Sequence, residues 1–400
     1  MELMSNSFYK LEEIRKNLIE KGYDSYLKNL FIFLKTFEVM GNVNADPSFF
    51  KVLKMINILI LLFALFLTNF TTKALIISTI ILALMFVSYR NSKDGALVWT
   101  FLIITACASL KKESFFRSFL LGTLTKNSMT FILSFFGIYT PFIERKPGTE
   151  IMRYSFGFAH ANTLHLLFFI SVVTFLLIIK KDQKISKLIN IMTINFCLYH
   201  FTKSRTAMLM VTVLLIGTLI YDLFSYTINR DRICKYMFWV LFSMLVISIG
   251  LVILASINYT QLKDISFISS LNRSLSGRLE QAHWYFNNYG MSMFGKYIPE
   301  IMESPRPGVF VLDIGYMRTL IQFGVVPFTI FLILQIKVIH TLYIEHRYYE
   351  CFVILCSGFY WLIEHYYYYI LFNPLLIYFG DQIFYSKNLS QRSIKVLNNQ

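Results

Sequence analysis

The chain has 400 residues, of which 56% are hydrophobic and only 15% are charged, and its formal net charge is +15. Soluble domains carry roughly a quarter charged residues, and no soluble fold of this length could bury so much apolar surface. The positive charge does not indicate a nucleic-acid partner, because Lys and Arg concentrate in short loops between apolar segments, as the positive-inside rule predicts. The excess of Phe, Ile, Lys and Asn is typical of AT-rich bacterial genomes. The composition predicts a multi-pass protein embedded in a lipid bilayer.

Apolar segments along the chain predict an all-α, polytopic membrane protein with about twelve transmembrane helices, since a span needs ~20 residues. The first segment is the weakest, because Lys28, Lys35 and Glu38 interrupt it. One large polar loop separates the ninth segment from the tenth. The segments lie near 26–42, 53–70, 74–89, 95–110, 115–139, 157–180, 187–202, 206–225, 236–257, 314–338, 348–363 and 365–381.

The predicted organisation is one membrane domain with one large external loop. A cytoplasmic N-terminal segment (1–25) precedes nine helices (26–257), the extracytoplasmic loop (258–313) follows, and three more helices (314–381) lead into a cytoplasmic tail (382–400). With twelve spans every basic cluster faces the cytoplasm, whereas dropping the first span would place the N-terminus outside. The basic loops therefore favour twelve spans, within an admissible range of about ten to thirteen. The clusters comprise Arg15, Lys16 and Lys21; Lys180, Lys181, Lys184 and Lys187; Arg230, Arg232 and Lys235; and Lys387, Arg392 and Lys395.

The external loop is too apolar to be a disordered connector. It contains aromatic residues such as Trp284 and Phe286, and loops of this length inside a compact protein are usually functional. Ser276 or Gly277 could cap a short helix that begins at Arg278. We expect the loop to fold back over the outer membrane face, as a lid or as half of a cleft.

Three arginine-centred motifs fall on the external face. The first runs from Arg153 to Thr163, enters the sixth helix, and carries His160 and Asn162. Polar groups at the mouth of an apolar helix are costly in lipid, so they should face protein or a wet cavity. They either make a polar contact between helices or form the wall of a substrate site, and the sequence favours the wall.

The other two arginines lie at turns. Arg205 occupies a tight outer turn beside Lys203, and is either a snorkelling interfacial arginine or part of an anion site. Arg278 would combine the free backbone N–H groups of a helix start with a guanidinium, which suits a phosphate. A membrane protein that gathers arginines at one lipid–water boundary is expected to handle an anionic substrate there.

Two carboxylates lie at the outer ends of predicted helices. Asp313 opens the tenth span, with Tyr316 shortly after it, and Glu364 directly precedes the last span. Acidic groups opposite three arginines indicate a cleft, whereas the tyrosine run at 366–369 is typical of an interfacial aromatic belt. The sequence contains no P-loop, HExxH, paired CxxC or Asp-x-Asp motif. We therefore expect no metal and no cofactor, and a donor other than a metal-bound nucleotide sugar.

The order of these motifs resembles that of the Wzy-type polysaccharide polymerases, which are relatives of the O-antigen ligases, and is most similar to their capsular branch in Gram-positive bacteria. The resemblance covers roughly residues 25 to 385. This chain has Ala161 where the family usually has Pro. It has Asp313 where the ligase branch has His, which favours a polymerase. The matching motifs are Arg153 with Ser155-Phe-Gly-Phe-Ala-His160-Ala-Asn162, Ser204-Arg-Thr-Ala207, Leu275-Ser-Gly-Arg-Leu279, Asp313-Ile-Gly-Tyr316, and Glu364-His365 with Asn373-Pro-Leu375.

The resemblance implies an enzyme of capsule, exopolysaccharide or O-antigen biosynthesis, with an architecture similar to the GT-C membrane glycosyltransferases. Such enzymes join oligosaccharides linked to undecaprenyl diphosphate on the outer face of the cytoplasmic membrane. The nascent chain leaves its lipid diphosphate and attaches to a hydroxyl of the next repeat unit. Asp313 or Glu364 would then act as the base or orient the acceptor. A chain-length regulator and a flippase are candidate partners. The expected residues for binding substrate and diphosphate are Arg153, Arg205, Arg278, His160, Asn162 and Tyr316.

Two other functions stay open from the sequence. A ligase or another lipid-glycan transferase would need similar residues, and a lipid-linked oligosaccharide flippase can also have twelve spans. Flippases and carriers generally alternate access between two pseudo-symmetric halves. This chain has no visible half-repeat and gathers its polar motifs on one face. The sequence therefore favours a polymerase.

Reporter fusions test the topology. Fusions at Lys184, Asp231 and Gln391 should report a cytoplasmic position, and fusions at Gly148 and Asn288 should report an external one, because basic loops are retained inside. An external signal at Lys184 would overturn the map, and with it the placement of the arginines on one outer face.

Overall fold

A computed structural model describes residues 2–38, 47–139, 143–145, 150–179, 184–224, 230–299 and 312–384. Part of the predicted external loop (300–311) and most of the predicted tail (385–400) lie outside the described residues. The same is true of Gly148 and Gln391, two of the positions proposed for reporter fusions.

Most of the described residues are helical and very few lie in strands, which confirms the all-α prediction. The one sheet within them is a hairpin of two short antiparallel strands, in which Glu144 pairs with Arg153. The elements are α1 (Glu2–Glu20), α2 (Tyr23–Thr36), α3 (Pro47–Leu67), α4 (Thr72–Ser92), α5 (Ala96–Ala106), α6 (Lys112–Phe135), β1 (Ile143–Arg145), β2 (Met152–Tyr154), α7 (Ala161–Leu176), α8 (Lys184–Thr202), α9 (Arg205–Phe224), α10 (Arg230–Ile257), α11 (Tyr259–Leu262), α12 (Ser266–Ser274), α13 (Arg278–Tyr289), α14 (Gly315–Arg318), a π turn (Thr319–Phe323), α15 (Val325–Ile344), α16 (Tyr348–Tyr360), a 3₁₀ turn (Pro374–Tyr378) and α17 (Phe379–Phe384).

Five of the described helices are long and apolar enough to cross a membrane, and the chain is an all-α membrane protein. Large apolar side chains on these helices point outward, as contact with lipid requires: Leu59 is 66% exposed and Ile247 is 67% exposed. The count of twelve spans and the GT-C-like architecture stay predictions. The five stretches are Ser48–Leu67, Thr72–Ser92, Arg205–Phe224, Asp231–Ile257 and Val325–Ile344.

The chain forms two compact units, and the first comprises residues 1–75 and 102–211. In it, α6 packs closely against α2, because Gly122 has no side chain: a Cβ there would lie 2.7 Å from the Phe33 carbonyl oxygen. Lys28 and Lys35, which made the first span the weakest in the sequence, are both buried in this unit. The Lys28 ammonium donates to Ser109 Oγ at 2.6 Å, and Lys35 forms an ion pair with Glu38. Their charges are therefore satisfied within the protein.

The second unit comprises residues 76–101 and 212–400. Here α10 packs against α16 and against the loop helix α13, while α15 packs against α16 and α17. Two glycines allow close packing of apolar side chains in this unit. A Cβ at Gly217 would lie 2.3 Å from the Phe352 ring, and one at Gly358 would lie 2.7 Å from Leu245.

The structure differs from the sequence prediction at the tenth and at the last of the predicted spans, both of which lie in this unit. The predicted tenth span begins as α14 and a π turn, breaks at Gly324, and continues as α15. The predicted last span is not one continuous helix, because residues 361–373 form turns before the 3₁₀ turn. Pro374 disfavours helical geometry in the residue before it. The Thr100 hydroxyl donates to the Tyr368 carbonyl and accepts from the Ile370 amide, which satisfies the irregular backbone.

The end of the described external loop docks on the π turn through backbone contacts. The Lys296 amide donates to the Gln322 carbonyl, and the Val325 and Val326 amides donate to carbonyls at 292 and 293, each at 3.0 Å. Gly295 and Gly324 make this approach possible. A Cβ at Gly295 would lie 2.0 Å from the Gln322 carbonyl oxygen, and its φ of +80° is also strained for other residues.

We expect Gly295→Ala to destabilise the second unit, since the left-handed backbone alone costs about 1–3 kcal/mol and the clash adds to it. The thermal unfolding midpoint in detergent should fall. Gly250→Ala is the matched control, because a Cβ at that helical glycine meets nothing within 4 Å. Its midpoint should be unchanged or slightly higher. Equal midpoints for the two variants would contradict the docking role of Gly295.

Candidate anion-binding cluster

In the described part of the second unit, a cluster of charged side chains surrounds Arg278. Its Nε donates to Asp313 Oδ2 at 3.0 Å, and its Nη2 lies 3.7 Å from Glu364 Oε1. His365 Nδ1 lies 3.5 Å from the other oxygen of Asp313. The structure therefore brings together three residues that the sequence nominated separately, and adds the histidine.

Arg278 is held at the start of α13, where the sequence predicted a helix to begin. The residue before it, Gly277, has φ +84°, which a glycine adopts without strain. The predicted side-chain cap from Ser276 is not the one observed. Instead, Asn272 Oδ1 accepts hydrogen bonds from the amides of Leu279 at 3.1 Å and Glu280 at 3.3 Å. These bonds satisfy two of the free donors at a helix start.

The middle of α13 is tied to the apolar helix α10. His283 Nδ1 donates to the Ser256 carbonyl at 2.9 Å, and Asn287 Nδ2 lies 2.9 Å from His283 Nε2. The helix that carries Arg278 is thus held at its start and at its middle, which fixes the backbone position from which the guanidinium extends. Such anchoring reduces the side-chain entropy that an anion must overcome on binding.

Asp313 and Glu364 reach the same guanidinium because the backbone two residues after Asp313 contacts the turn that carries Glu364. The Gly315 amide donates to the Trp361 carbonyl at 3.1 Å. A Cβ at Gly315 would lie 2.6 Å from the Glu364 carbonyl oxygen. The start of α14 can therefore press directly on the turn that carries Glu364 and His365. The Asp313 side chain stays more exposed than that of Glu364, at 28% against 11%.

Neighbouring charges set the protonation of this cluster. Burial alone would raise the pKa of Asp313, but its contact with His365 and the charge of Arg278 outweigh burial and lower that pKa. Burial and the positive charge of Arg318 lower the pKa of His365 to about 4. At neutral pH Asp313 is therefore ionised and His365 is neutral. Within the described residues, no hydrogen bond reaches the buried Nδ1 of His365.

Arg318 was not among the site residues predicted from the sequence. Its Nε donates to Gln322 Oε1 at 2.7 Å, and Gln322 Nε2 donates to Asp94 Oδ2 at 3.2 Å. Its charge acts on both Asp313 and His365. The signal in the sequence was its position five residues after Asp313, at the end of the short helix that Asp313 precedes.

Two other predicted site residues, Arg153 and Asn162, lie together in the first unit. Arg153 is almost fully buried, its Nε donates to the Thr202 carbonyl at 2.9 Å, and its Nη2 donates to Asn162 Oδ1. The neighbouring His165 is fully buried and contacts Thr202 Oγ1 at 3.1 Å and Asn195 Oδ1 at 2.9 Å. These contacts are those of a polar junction between β2, α7 and α8. The binding roles of Arg153 and Asn162 stay predictions.

The remaining predicted residues occupy different environments. His160 is an exposed residue directly before α7, and Arg205 is exposed at the start of α9 in the first unit. Within the described residues, Arg205 makes no ion pair. Tyr316 is fully buried in the second unit, where its hydroxyl donates to the Gly358 carbonyl at 3.2 Å and its ring packs on Tyr367. Its contacts are those of a packing residue, and its role in binding stays a prediction.

Comparisons with known proteins do not assign the chain to a family. No family model, no curated protein and no solved structure matches the chain.

The protonation of His365 predicts how stability depends on pH. Its folded pKa of about 4 lies below the ordinary value of 6.5, so between these values the folded protein binds fewer protons than the unfolded chain. Stability must then fall as the pH is lowered from 6.5 towards 4. The lowered pKa of Asp313 acts in the same direction at still lower pH.

Thermal unfolding in detergent across this range tests the prediction. The midpoint of the wild type should fall with acidification, and that of His365→Gln should fall less steeply. His340→Gln removes an exposed histidine of the same unit and should keep the wild-type slope. Parallel slopes for all three proteins would mean that His365 is not buried as a neutral group.

Proposed function

We propose that the protein is a polysaccharide repeat-unit polymerase, which joins oligosaccharides carried on undecaprenyl diphosphate at the outer face of the cytoplasmic membrane. The observation that carries the proposal is the Arg278 guanidinium between Asp313 and Glu364, beside the neutral His365. Guanidinium groups stay ionised and bind phosphate oxygens in pairs. A carboxylate contacts the same guanidinium, so a group that could bind the diphosphate and a group that could accept the acceptor proton lie side by side.

The reaction balances with these groups. A hydroxyl oxygen of the acceptor repeat attacks the anomeric carbon of the donor, and the bond from that carbon to the diphosphate oxygen breaks. The electron pair leaves with undecaprenyl diphosphate, whose developing charge Arg278 would stabilise. The proton of the acceptor hydroxyl passes to a carboxylate. No step requires an oxidant or a reductant.

Asp313 is the better candidate for the proton acceptor. Its side chain is the more exposed of the two carboxylates, and it is the one hydrogen-bonded to Arg278. When a diphosphate takes over the guanidinium, Asp313 loses the positive partner that lowers its pKa, and its basicity increases. Glu364 is more buried and suits a fixed role in orienting Arg278.

Deletion of the gene, followed by analysis of the surface glycan, tests the proposal. A polymerase defect leaves single lipid-linked repeats on the outer face of the membrane and no long chains. Intact chains that remain on the lipid would indicate a ligase, and repeats trapped on the cytoplasmic side would indicate a flippase. Either of the last two outcomes would overturn the proposal.

Arg278→Ala should reduce polymer formation by at least about 100-fold, the cost of removing one group that stabilises developing charge. Arg278→Lys should restore only a small part, because a point charge lacks the fork of the guanidinium. Arg273→Ala is the matched control, since Arg273 is an exposed arginine of the same loop. It should polymerise at the wild-type rate. The assay is polymer length in membranes with equal amounts of each variant.

Asp313→Asn should lower the rate by about 10²–10⁴-fold, as expected for loss of a general base. Glu364→Gln should lose far less. Purified lipid-linked repeat in nanodiscs with EDTA is the appropriate assay, since the reaction as proposed uses no metal. A large loss with Glu364→Gln and a small one with Asp313→Asn would reverse the two roles. Complete inhibition by EDTA alone would refute the metal-free mechanism.

A further inference from the structure

A chain of three polar side chains, Asp94, Gln322 and Arg318, ends on the short helix that follows Asp313 and has no role in the reaction described above. Asp94 lies in the turn between α4 and α5, where its Oδ1 accepts from the Ala96 amide at 2.9 Å. Its second oxygen, Oδ2, accepts from Gln322 Nε2 at 3.2 Å, and Gln322 Oε1 accepts from Arg318 Nε at 2.7 Å. Both oxygens of Asp94 and both polar atoms of the Gln322 amide are therefore engaged.

The backbone around Gln322 is fixed as well. Gln322 is 4% exposed, lies in the π turn, and accepts the Lys296 amide through its carbonyl. π turns within helices frequently occur at functional sites. The same turn carries the docking contact of Gly295, so the Gln322 side chain can vary little in direction. A Gln322 side chain held in this way also fixes the direction of the Arg318 guanidinium that it binds.

Arg318 is the group that this chain orients. The Nε of its guanidinium is held by Gln322, and the guanidinium also contacts the buried side chain of Tyr368, so an anion that binds Arg318 would compete with Tyr368 for the terminal nitrogens. The charge of Arg318 acts on Asp313 and on His365, so it belongs to the same electrostatic environment as Arg278. A planar guanidinium fixed through Nε can still donate two parallel hydrogen bonds from its terminal nitrogens to a phosphate or carboxylate.

We infer that Gln322 and Asp94 are positioning residues, which aim Arg318 at the anion bound by Arg278 and so provide a second guanidinium for a diphosphate. The inference rests on the proposed function, since it assigns the anion as the diphosphate of the lipid carrier. It also makes the turn between α4 and α5 part of the site. A diphosphate carries two charged groups, so two guanidinium groups match it better than one.

A charge-conserving exchange tests this chain directly. In Asp94→Asn the new NH₂ group would face the NH₂ group of Gln322, so two donors oppose each other. The remaining oxygen at position 94 can still accept from the Ala96 amide. In Gln322→Glu two carboxylates would face each other. In the double variant, the new carboxylate at position 322 accepts from Arg318 and from the new amide at position 94. Every hydrogen bond is then restored with no change in net charge.

The probe is inorganic pyrophosphate without divalent cations, and its binding is measured by calorimetry on the full-length protein in nanodiscs. Each single variant should bind about 10- to 100-fold more weakly, the scale of a lost hydrogen bond to a charged group. The double variant should return to within about threefold of the wild type, which reveals coupling between the two positions. Arg318→Lys, which leaves Asp94 and Gln322 unchanged, should also bind about 10- to 100-fold more weakly.

Wild-type binding by both single variants, or a double variant weaker than either single one, would overturn the inference. Should the single variants fail to accumulate in the membrane, wild-type binding by Arg318→Lys would overturn it instead. Kinetics with lipid-linked repeat add a second measurement: the single variants should raise KM or lower kcat, and the double variant should reverse the change.

The two proposals fail separately. The single variants could lose pyrophosphate binding and the double variant regain it, although the wild-type protein makes no polymer. This result would support the positioning chain and refute the polymerase. Polymer formation by single variants at the wild-type rate, with unchanged pyrophosphate binding, would support the polymerase and refute the chain.

Discussion

The ion pairs of Arg278 with Asp313 and Glu364 are the interaction on which the site in the second unit depends. Removing a charge from water costs several kcal/mol, and a buried ion pair offsets this only when its geometry is good. Removal of one partner from such a pair typically costs about 3–5 kcal/mol, because it leaves a buried charge alone. The three side chains are therefore constrained as a group, and each fixes where the others can lie.

The close approach of backbones is what supplies this geometry. Gly315 lets the start of α14 touch the turn at Glu364, and Gly295 lets the external loop touch the π turn. Gly277 provides the left-handed residue before α13. At each of these points a side chain would hold the segments apart. The positions of Arg278 and Asp313 thus depend on backbone contacts that the glycines permit, and not only on the attraction between the charged residues.

Local signals in the sequence predicted part of this arrangement. The all-α class followed from the length of the apolar segments, and the start of α13 at Arg278 followed from Gly277, because both depend on the residues themselves. The turns at 361–373 could not be predicted in this way, since the Thr100 hydroxyl that satisfies their backbone comes from a helix more than 250 residues earlier. Arg318 was missed for the same reason. Its significance comes from Gln322 and from Asp94, and only the latter is distant in sequence.

The charge balance of the site limits how it could work. Arg278 and Arg318 carry two positive charges, Asp313 and Glu364 carry two negative ones, Asp94 adds a third negative charge behind Gln322, and His365 is neutral at neutral pH. An empty site with two unpaired guanidinium groups would be costly to bury, and the carboxylates remove that cost. A diphosphate that binds must therefore compete with them, and in doing so it would release Asp313 from Arg278. On this argument the carboxylate becomes a stronger base only when the leaving group is in place, so proton transfer is coupled to occupancy of the anion site.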